Sequence, residues 1–191
     1  MHFSVTFAAF VATAWALVPV ALEERKADKG DEIVKLARKQ IGTPYVLGGG
    51  DCHGKSTGEK PGVGFDCSGL NFYVVCDVVG KTIPIQAWSQ YIHHLDGSGR
   101  VIKLADIEPG DMLYFAKDGD CTKASNHGAK PSQHTIKHTV IVSKKGKVIT
   151  APQTGEFVKE TPYDPVADHT YGSYKVCPHA IRFWDDVDKK M

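Results

Sequence analysis

Residues 65–80 restrict the fold of this 191-residue chain more than any other stretch. Phe65-Asp66-Cys67-Ser68-Gly69 runs into Leu70, Phe72, Tyr73, Val74, Val75, Val78 and Val79, with Gly80 at the end, so apolar side chains cover nearly the whole circumference. The valines favour strand by intrinsic propensity, but the length exceeds an ordinary strand and the Asp-Cys-Ser opening can cap a helix. The pattern therefore predicts a buried helix from Asp66 or Cys67 to Gly80. Cys67 falls in its first turn, where unpaired backbone N–H groups and the helix dipole favour a thiolate over a thiol. That makes Cys67 a candidate nucleophile.

Upstream, Asp31 to Ile41 puts Ile33, Val34, Ala37 and Ile41 on one side, with Gly42 as a stop and Pro44 beyond, the pattern of an amphipathic helix lying on the core. Residues 42–64 carry eight glycines and read as an open loop suited to a cleft wall. Downstream, Ile85 to His93 forms a short helix packing Ala87, Trp88 and Tyr91, and Ile107-Glu108-Pro109-Gly110-Asp111 makes a turn into a strand at Met112 to Phe115. The polar interval from Lys117 to Lys137 is longer than a usual connection and reads as a functional or cross-linked loop. Thr139 to Val142 and Val148 to Ala151 form a hairpin, and Glu156 to Lys159 and Ala180 to Phe183 extend the same antiparallel sheet.

Val5 to Ala21 contains no Asp, Glu, Lys or Arg and reads as the core of a secretory signal peptide spanning residues 1–21, with cleavage after Ala16 or Ala21. Residues 22–30 then form a leader or short propeptide, and 31–191 a single domain. Secretion permits disulfides. Of the cysteines at 52, 67, 76, 121 and 177, a free Cys67 leaves four and three possible connectivities. Cys76, nine residues beyond Cys67, lies on the opposite side of the helix, so those two do not pair. Cys52 with Cys121 and Cys76 with Cys177 is the expected pairing: two polar loops tied together, and a helix tied to a late strand. The balance of 23 Lys plus Arg against 22 Asp plus Glu gives no reason to expect nucleic acid or a membrane surface as partner.

A cysteine nucleophile needs an imidazole within hydrogen-bond reach. Of nine histidines, His53, beside Cys52, and His138, at the head of a strand rigid enough to hold a base, are the two candidates.

The hexapeptide Phe65 to Leu70 resembles the nucleophile motif of the NlpC/P60 family of cell-wall endopeptidases, papain-like cysteine hydrolases. The likeness extends over Thr43-Pro44-Tyr45 with Gly48-Gly49, Ile83-Pro84, Gln90, Leu104, Pro109-Gly110-Asp111, Phe115 and His138 with Val140-Ile141, from about Ile33 to Phe183. The resemblance implies an α+β, papain-like fold: an N-terminal helical lobe carrying Cys67, packed on a central antiparallel β-sheet carrying His138. Cys67 would attack an amide carbonyl, with His138 first as base and then as acid. The oxyanion would meet the Cys67 backbone N–H and the Tyr45 hydroxyl; Asp66 would cap the helix or bind substrate, and Ser68 would contact substrate. Family members often carry His-Ala-Pro at the third catalytic position. This chain has Thr150-Ala151-Pro152, with Gln153 as the reserve partner for His138.

The implied substrate is the D-γ-glutamyl–diamino acid bond of bacterial peptidoglycan stem peptides, attacked by a secreted monomer that needs no cofactor, no metal and, after signal cleavage, no membrane. The leader and extra cysteines resemble secreted single-domain fungal members, which would digest the walls of bacteria outside the cell. The alternatives are a papain-like amidase or acyltransferase, a secreted binding protein that keeps the cleft without turnover, and a metal site drawn from Cys121, His127, His134 and Cys52-His53. The neutral Thr150 motivates the binding protein.

Overall fold

In the computed structural model, which describes residues 28–121 and 134–185, two apolar layers lie on the two faces of one antiparallel sheet. Residues 1–27, which hold the expected signal peptide and most of the expected leader, and His127 lie outside the described residues. Three helices, α1 (Lys29–Arg38), α2 (Cys67–Val79) and α3 (Ala87–Ile92), cover one face. A two-stranded ribbon, β1 (Ser56–Thr57) with β2 (Val63–Gly64), interrupts the glycine-rich loop. The large sheet comprises β3 (Arg100–Lys103), β4 (Met112–Ala116), β5 (Ile136–Lys144), β6 (Lys147–Thr150), β7 (Lys159–Pro162), β8 (Thr170–Tyr171), β9 (Tyr174–Val176) and β10 (His179–Arg182). Its order is β3-β10-β4-β5-β6-β7, with β9 sharing an edge of β4 and β8 paired to β9. This is the expected α+β arrangement of helices against a central antiparallel sheet.

Every side chain of β4 is buried, and its alternation builds both layers. Met112, Tyr114 and Ala116 face the helices together with Ile33, Val34, Leu70 and Val74, whereas Leu113 and Phe115 face away with Val140, Val142 and Tyr163. The β5–β6 hairpin forms as expected, turning at Gly146 with φ 73°. Asp66 caps α2, and Gly80 ends it in the left-handed conformation with its N–H on the Cys76 carbonyl, so the buried helix has the expected bounds.

The Pro109-Gly110-Asp111 turn holds the two lobes together. Gly110 has φ 88°, and a Cβ there would come 2.5 Å from the Gly30 Cα, so α1 docks on a position only glycine can fill. Asp111 is fully buried and accepts a two-pronged bond from Arg182 of β10 at 2.7 and 2.8 Å.

Three expectations change. Helix α1 ends at Arg38 with Lys39 as its cap, so Ile41 lies beyond the last turn and is 47% exposed. Glu156 to Val158 is not a sheet strand: its backbone bonds run to Gly42, Thr43 and Tyr45 of the glycine-rich loop, and the strand begins three residues later, at Lys159. The disulfides are Cys52–Cys76 and Cys121–Cys177, not the expected pairing. Cys52 sits in a tight Asp51–Gly54 turn that lies beside Tyr73, one helical turn before Cys76 on the same face of α2. Cys177 donates its N–H to the Tyr114 carbonyl in the middle of β4, and its disulfide ties the end of β9 to Cys121 beyond β4. Cys67 is free.

Candidate active site

Asp66 organises the ground around Cys67. Its carboxylate accepts from the Gly69 N–H at 2.7 Å, the Ser68 hydroxyl at 3.0 Å and the Gly48 N–H at 2.8 Å, while its own N–H donates to the Gly49 carbonyl at 2.9 Å. One side chain thus caps α2 and fastens the glycine-rich loop to it. The fit explains the glycines: a Cβ on Gly69 would fall 2.0 Å from the Gly49 oxygen, so the loop backbone lies directly on the first turn of the helix. Ser68 is 5% exposed with its hydroxyl committed to Asp66, an internal tie and not a free contact.

His138 lies on β5 where the register shifts against β4, between Phe115 and Ala116. Its Nε2 is 3.0 Å from Thr150 Oγ1, which also lies 3.5 Å from the Thr139 carbonyl. By donating to that carbonyl, the hydroxyl accepts from Nε2–H. Nδ1 is then the ring nitrogen left to take a proton. Gln153 does not join this arrangement; its amide donates to Glu156 at 2.8 Å on the exposed loop. His53 is exposed beside Asp51, away from the His138 ring.

The backbone N–H groups of Thr139, the residue next to His138, and of Ser68 and Cys67 itself favour the Cys67 thiolate. Among the described residues no hydrogen bond joins thiol to imidazole. Burial, with a further push from the Asp66 charge, raises the thiol to about 12 against those donors, and burial alone lowers the imidazole to about 4. The expectation of a thiolate stabilised by the helix N-terminus is therefore corrected: burial outweighs the backbone N–H donors, and thiol and imidazole each rest neutral.

Buried polar side chains hold the two lobes in register. Asn71, one turn along α2 from Cys67, donates to Thr139 Oγ1 at 2.8 Å and to Gln90 Oε1 at 3.2 Å, and Gln90 donates to the Ser68 and Pro84 carbonyls at 2.9 Å. Thr139 donates in turn to the Leu113 carbonyl at 2.8 Å. The nucleophile helix is thus bonded to the strand that carries the base.

His138 opens onto a cleft of about 450 Å³. Tyr45 and the 152–156 loop form one wall, and the β8–β9 hairpin with Tyr171 and Tyr174 forms the other. Burial and the nearby Cys67 and Asp66 charges push the Tyr45 phenol up, so it stays protonated as a donor. Lys137 and a Lys159–Glu156 pair stand on the rim. Cys52 and Cys121 are bound in disulfides, which removes both thiolates from the alternative metal site.

The NlpC/P60 family profile matches residues 42–175. The chain belongs to the NlpC/P60 family. The peptidoglycan endopeptidase RipA of Mycolicibacterium smegmatis is 33% identical over 133 residues, 68% of this chain and 22% of that protein. The gamma-DL-glutamyl hydrolase of Bacillus subtilis is 37% identical over 84 residues, 44% of this chain and 17% of that protein. The chain thus spans about a fifth of the length of these bacterial relatives. Solved structures of RipA mutated at a cysteine, at a histidine and at a glutamate each match with a TM-score of 0.61 and 26% identity, covering 83% of this chain and 63% of the solved one.

Within the NlpC/P60 motif, the residues read from sequence divide in two. His138 and Tyr45 line the cleft, Thr150 holds the His138 ring from the buried side and Cys67 lies close enough to Tyr45 for its charge to act on the phenol, whereas Asp66 and Ser68 are internal to the helix cap. Asn71, Thr139 and Tyr171 went unseen in the sequence. Asn71 was legible as the lone amide in an apolar helix; Tyr171, 33 residues beyond His138 on a two-residue strand, had no local signal.

Proposed function

We propose that this NlpC/P60 protein is a secreted cysteine endopeptidase that hydrolyses the D-γ-glutamyl–diamino acid bond of bacterial peptidoglycan stem peptides. The observation that carries the reading is the conjunction of a free Cys67 at the N-terminus of a helix that Asn71 bonds to Thr139 at 2.8 Å, with His138, the residue before Thr139, whose Nε2 is held by Thr150 at 3.0 Å. The histidine and glutamate mutated in RipA lie twelve residues apart, the interval between His138 and Thr150. The γ-glutamyl specificity is supported by the Bacillus subtilis relative's name. The narrower likeness to secreted single-domain fungal members is part of the proposal and rests on the leader and the extra cysteines.

In this mechanism substrate closes the gap between thiol and imidazole, as catalytic hydrogen bonds tighten in the Michaelis complex. Cys67 Sγ attacks the amide carbon as its proton passes to His138 Nδ1. The carbonyl oxygen gains the negative charge and meets the Cys67 backbone N–H and the Tyr45 hydroxyl, donors that act most strongly once that charge exists. His138 returns the proton to the amine as the C–N bond breaks. Water then attacks the thioester with His138 again as base, releasing the γ-carboxylate and the thiol. Thr150 accepts from the far ring nitrogen throughout.

Digestion of a muramyl stem peptide tests this. The expected product carries a new amino terminus on the diamino acid and disappears with Cys67→Ala at unchanged folding. Release of the whole stem from muramic acid would replace the reading with an amidase. Binding without turnover by the wild type would replace it with the binding protein that the neutral Thr150 suggests.

A further inference from the structure

The ring of His138 has a second constraint besides Thr150, on its face. Tyr171 lies over it with centroids 5.3 Å apart and planes 15° from parallel. Phe115 approaches the same imidazole at 6.0 Å. Tyr171 is itself held by Phe115 at 5.4 Å and by Tyr163 at 5.7 Å, with Phe115 and Tyr163 in edge contact at 5.3 Å. These are offset and edge geometries that aromatic pairs favour. The backbone beneath is fixed as well. Gly172, with φ 59°, turns the β8–β9 hairpin, Val176 pairs with Phe115, and Cys177 is bonded to Cys121 immediately after β9. A surface loop that merely walled the cleft would need none of this bracing.

We propose that Tyr171 is a positioning residue for His138: the braced hairpin lays its ring on the imidazole, fixing the plane in which Nδ1 meets the substrate and favouring the cation that forms when Nδ1 takes the Cys67 proton. The inference rests on the proposed cysteine-hydrolase chemistry and extends it to an element that touches neither nucleophile nor third partner. Two edges of the ring are defined by Thr150 and the proton path, which leaves rotation about the Nε2 bond free unless a face is held. A π-face within about 6 Å of a cation attracts it, so the stack is stronger with imidazolium than with neutral imidazole. It therefore acts more on the transition state than on the ground state. The other titratable groups about the ring are Tyr45 on the facing wall, Tyr174 on the same hairpin as Tyr171, Lys137, Glu156 and Lys159 on the rim, and Cys67 near Tyr45. None of them stacks on it.

The test compares Tyr171→Phe, which keeps the ring, with Tyr171→Leu, which keeps apolar volume without it. In turnover of the stem peptide, Tyr171→Leu is expected to lower kcat about tenfold with little change in KM, and Tyr171→Phe to restore it. Alkylation of Cys67 by iodoacetamide at pH 7 reads the same step with a small electrophile in place of the stem peptide, because the thiol passes its proton to His138 as the reagent enters between them. It too should slow about tenfold in Tyr171→Leu and recover in Tyr171→Phe. If Tyr171→Leu does not fold, Tyr171→Met fills the space and carries the same expectation. Wild-type alkylation in the ring-less variant overturns the proposal, as does a change confined to KM or a loss in Tyr171→Phe equal to that in Tyr171→Leu. A wild type that fails to cleave stem peptides yet shows the alkylation pattern refutes the substrate assignment and leaves the positioning role standing.

Discussion

Thr150→Val removes one oxygen from a site that is otherwise closed. Thr150 is 1% exposed and His138 4%, so no solvent replaces the lost acceptor at Nε2, and valine occupies nearly the same volume. A buried donor left unpaired costs about 1–3 kcal/mol. The ring can escape part of that cost by moving its proton to Nδ1, which is the nitrogen needed as base. Expressed on the barrier, the same range is a fall in kcat of about 5- to 150-fold. Expressed on folding, it is a drop in Tm of about 2–12 °C for a domain of this size. The assay is kcat and KM on a stem peptide with a parallel thermal melt, and ¹⁵N NMR of the His138 ring reports the tautomer directly. Gln153→Ala serves as the control and is expected to stay within about twofold of wild type, because its amide is engaged with Glu156. Wild-type kcat and an unchanged tautomer in Thr150→Val would refute the reasoning.

Protonation of His138, held at about 4, sets the acid limit: kcat/KM should fall as pH drops through about 4 and show no thiol limb below pH 9, since Cys67 is raised to about 12. An acid limb at the ordinary imidazole value of 6.5 would contradict this. The same group is linked to stability. Its folded value lies below the unfolded one, so the unfolded chain binds the proton more tightly, and about 3 kcal/mol present above pH 6.5 is lost as pH falls toward 4. His138→Asn should flatten that part of the pH–stability curve. Asp111→Asn leaves the buried Arg182 with Glu108 as its nearest remaining carboxylate, so urea denaturation should show a loss of about 3 kcal/mol; under 1 kcal/mol would mean that the pair contributes little. Gly69→Ala drives a methyl into the Gly49 carbonyl and should cost about 1–3 kcal/mol in thermal melts, with a larger loss of kcat as the loop lifts from α2.

Local chemistry determined what could be read without coordinates. The run after Cys67 was too long for a strand and too apolar for a surface, so a buried helix capped by Asp66 followed from the residues alone. The β5–β6 hairpin was legible for a similar reason: two short runs rich in β-branched residues stand on either side of the turn Lys144-Lys145-Gly146-Lys147. The NlpC/P60 resemblance, not the hairpin pattern, pairs His138 with Thr150, and the hairpin brings the two, twelve residues apart, within 3.0 Å. What no local pattern carried was the outcome of competition between distant segments. Glu156 to Val158 has its backbone bonds taken by the glycine-rich loop, not by the sheet. The cysteines paired according to which loop reached which face of α2 and β4, not according to loop type. The state of Cys67 was misread for the same physical reason: a helix N-terminus is visible in sequence, whereas the packing that strips water from the sulfur is not. Tyr171 reached His138 through a strand of two residues, a hairpin and a disulfide, and that meeting belongs wholly to the tertiary structure.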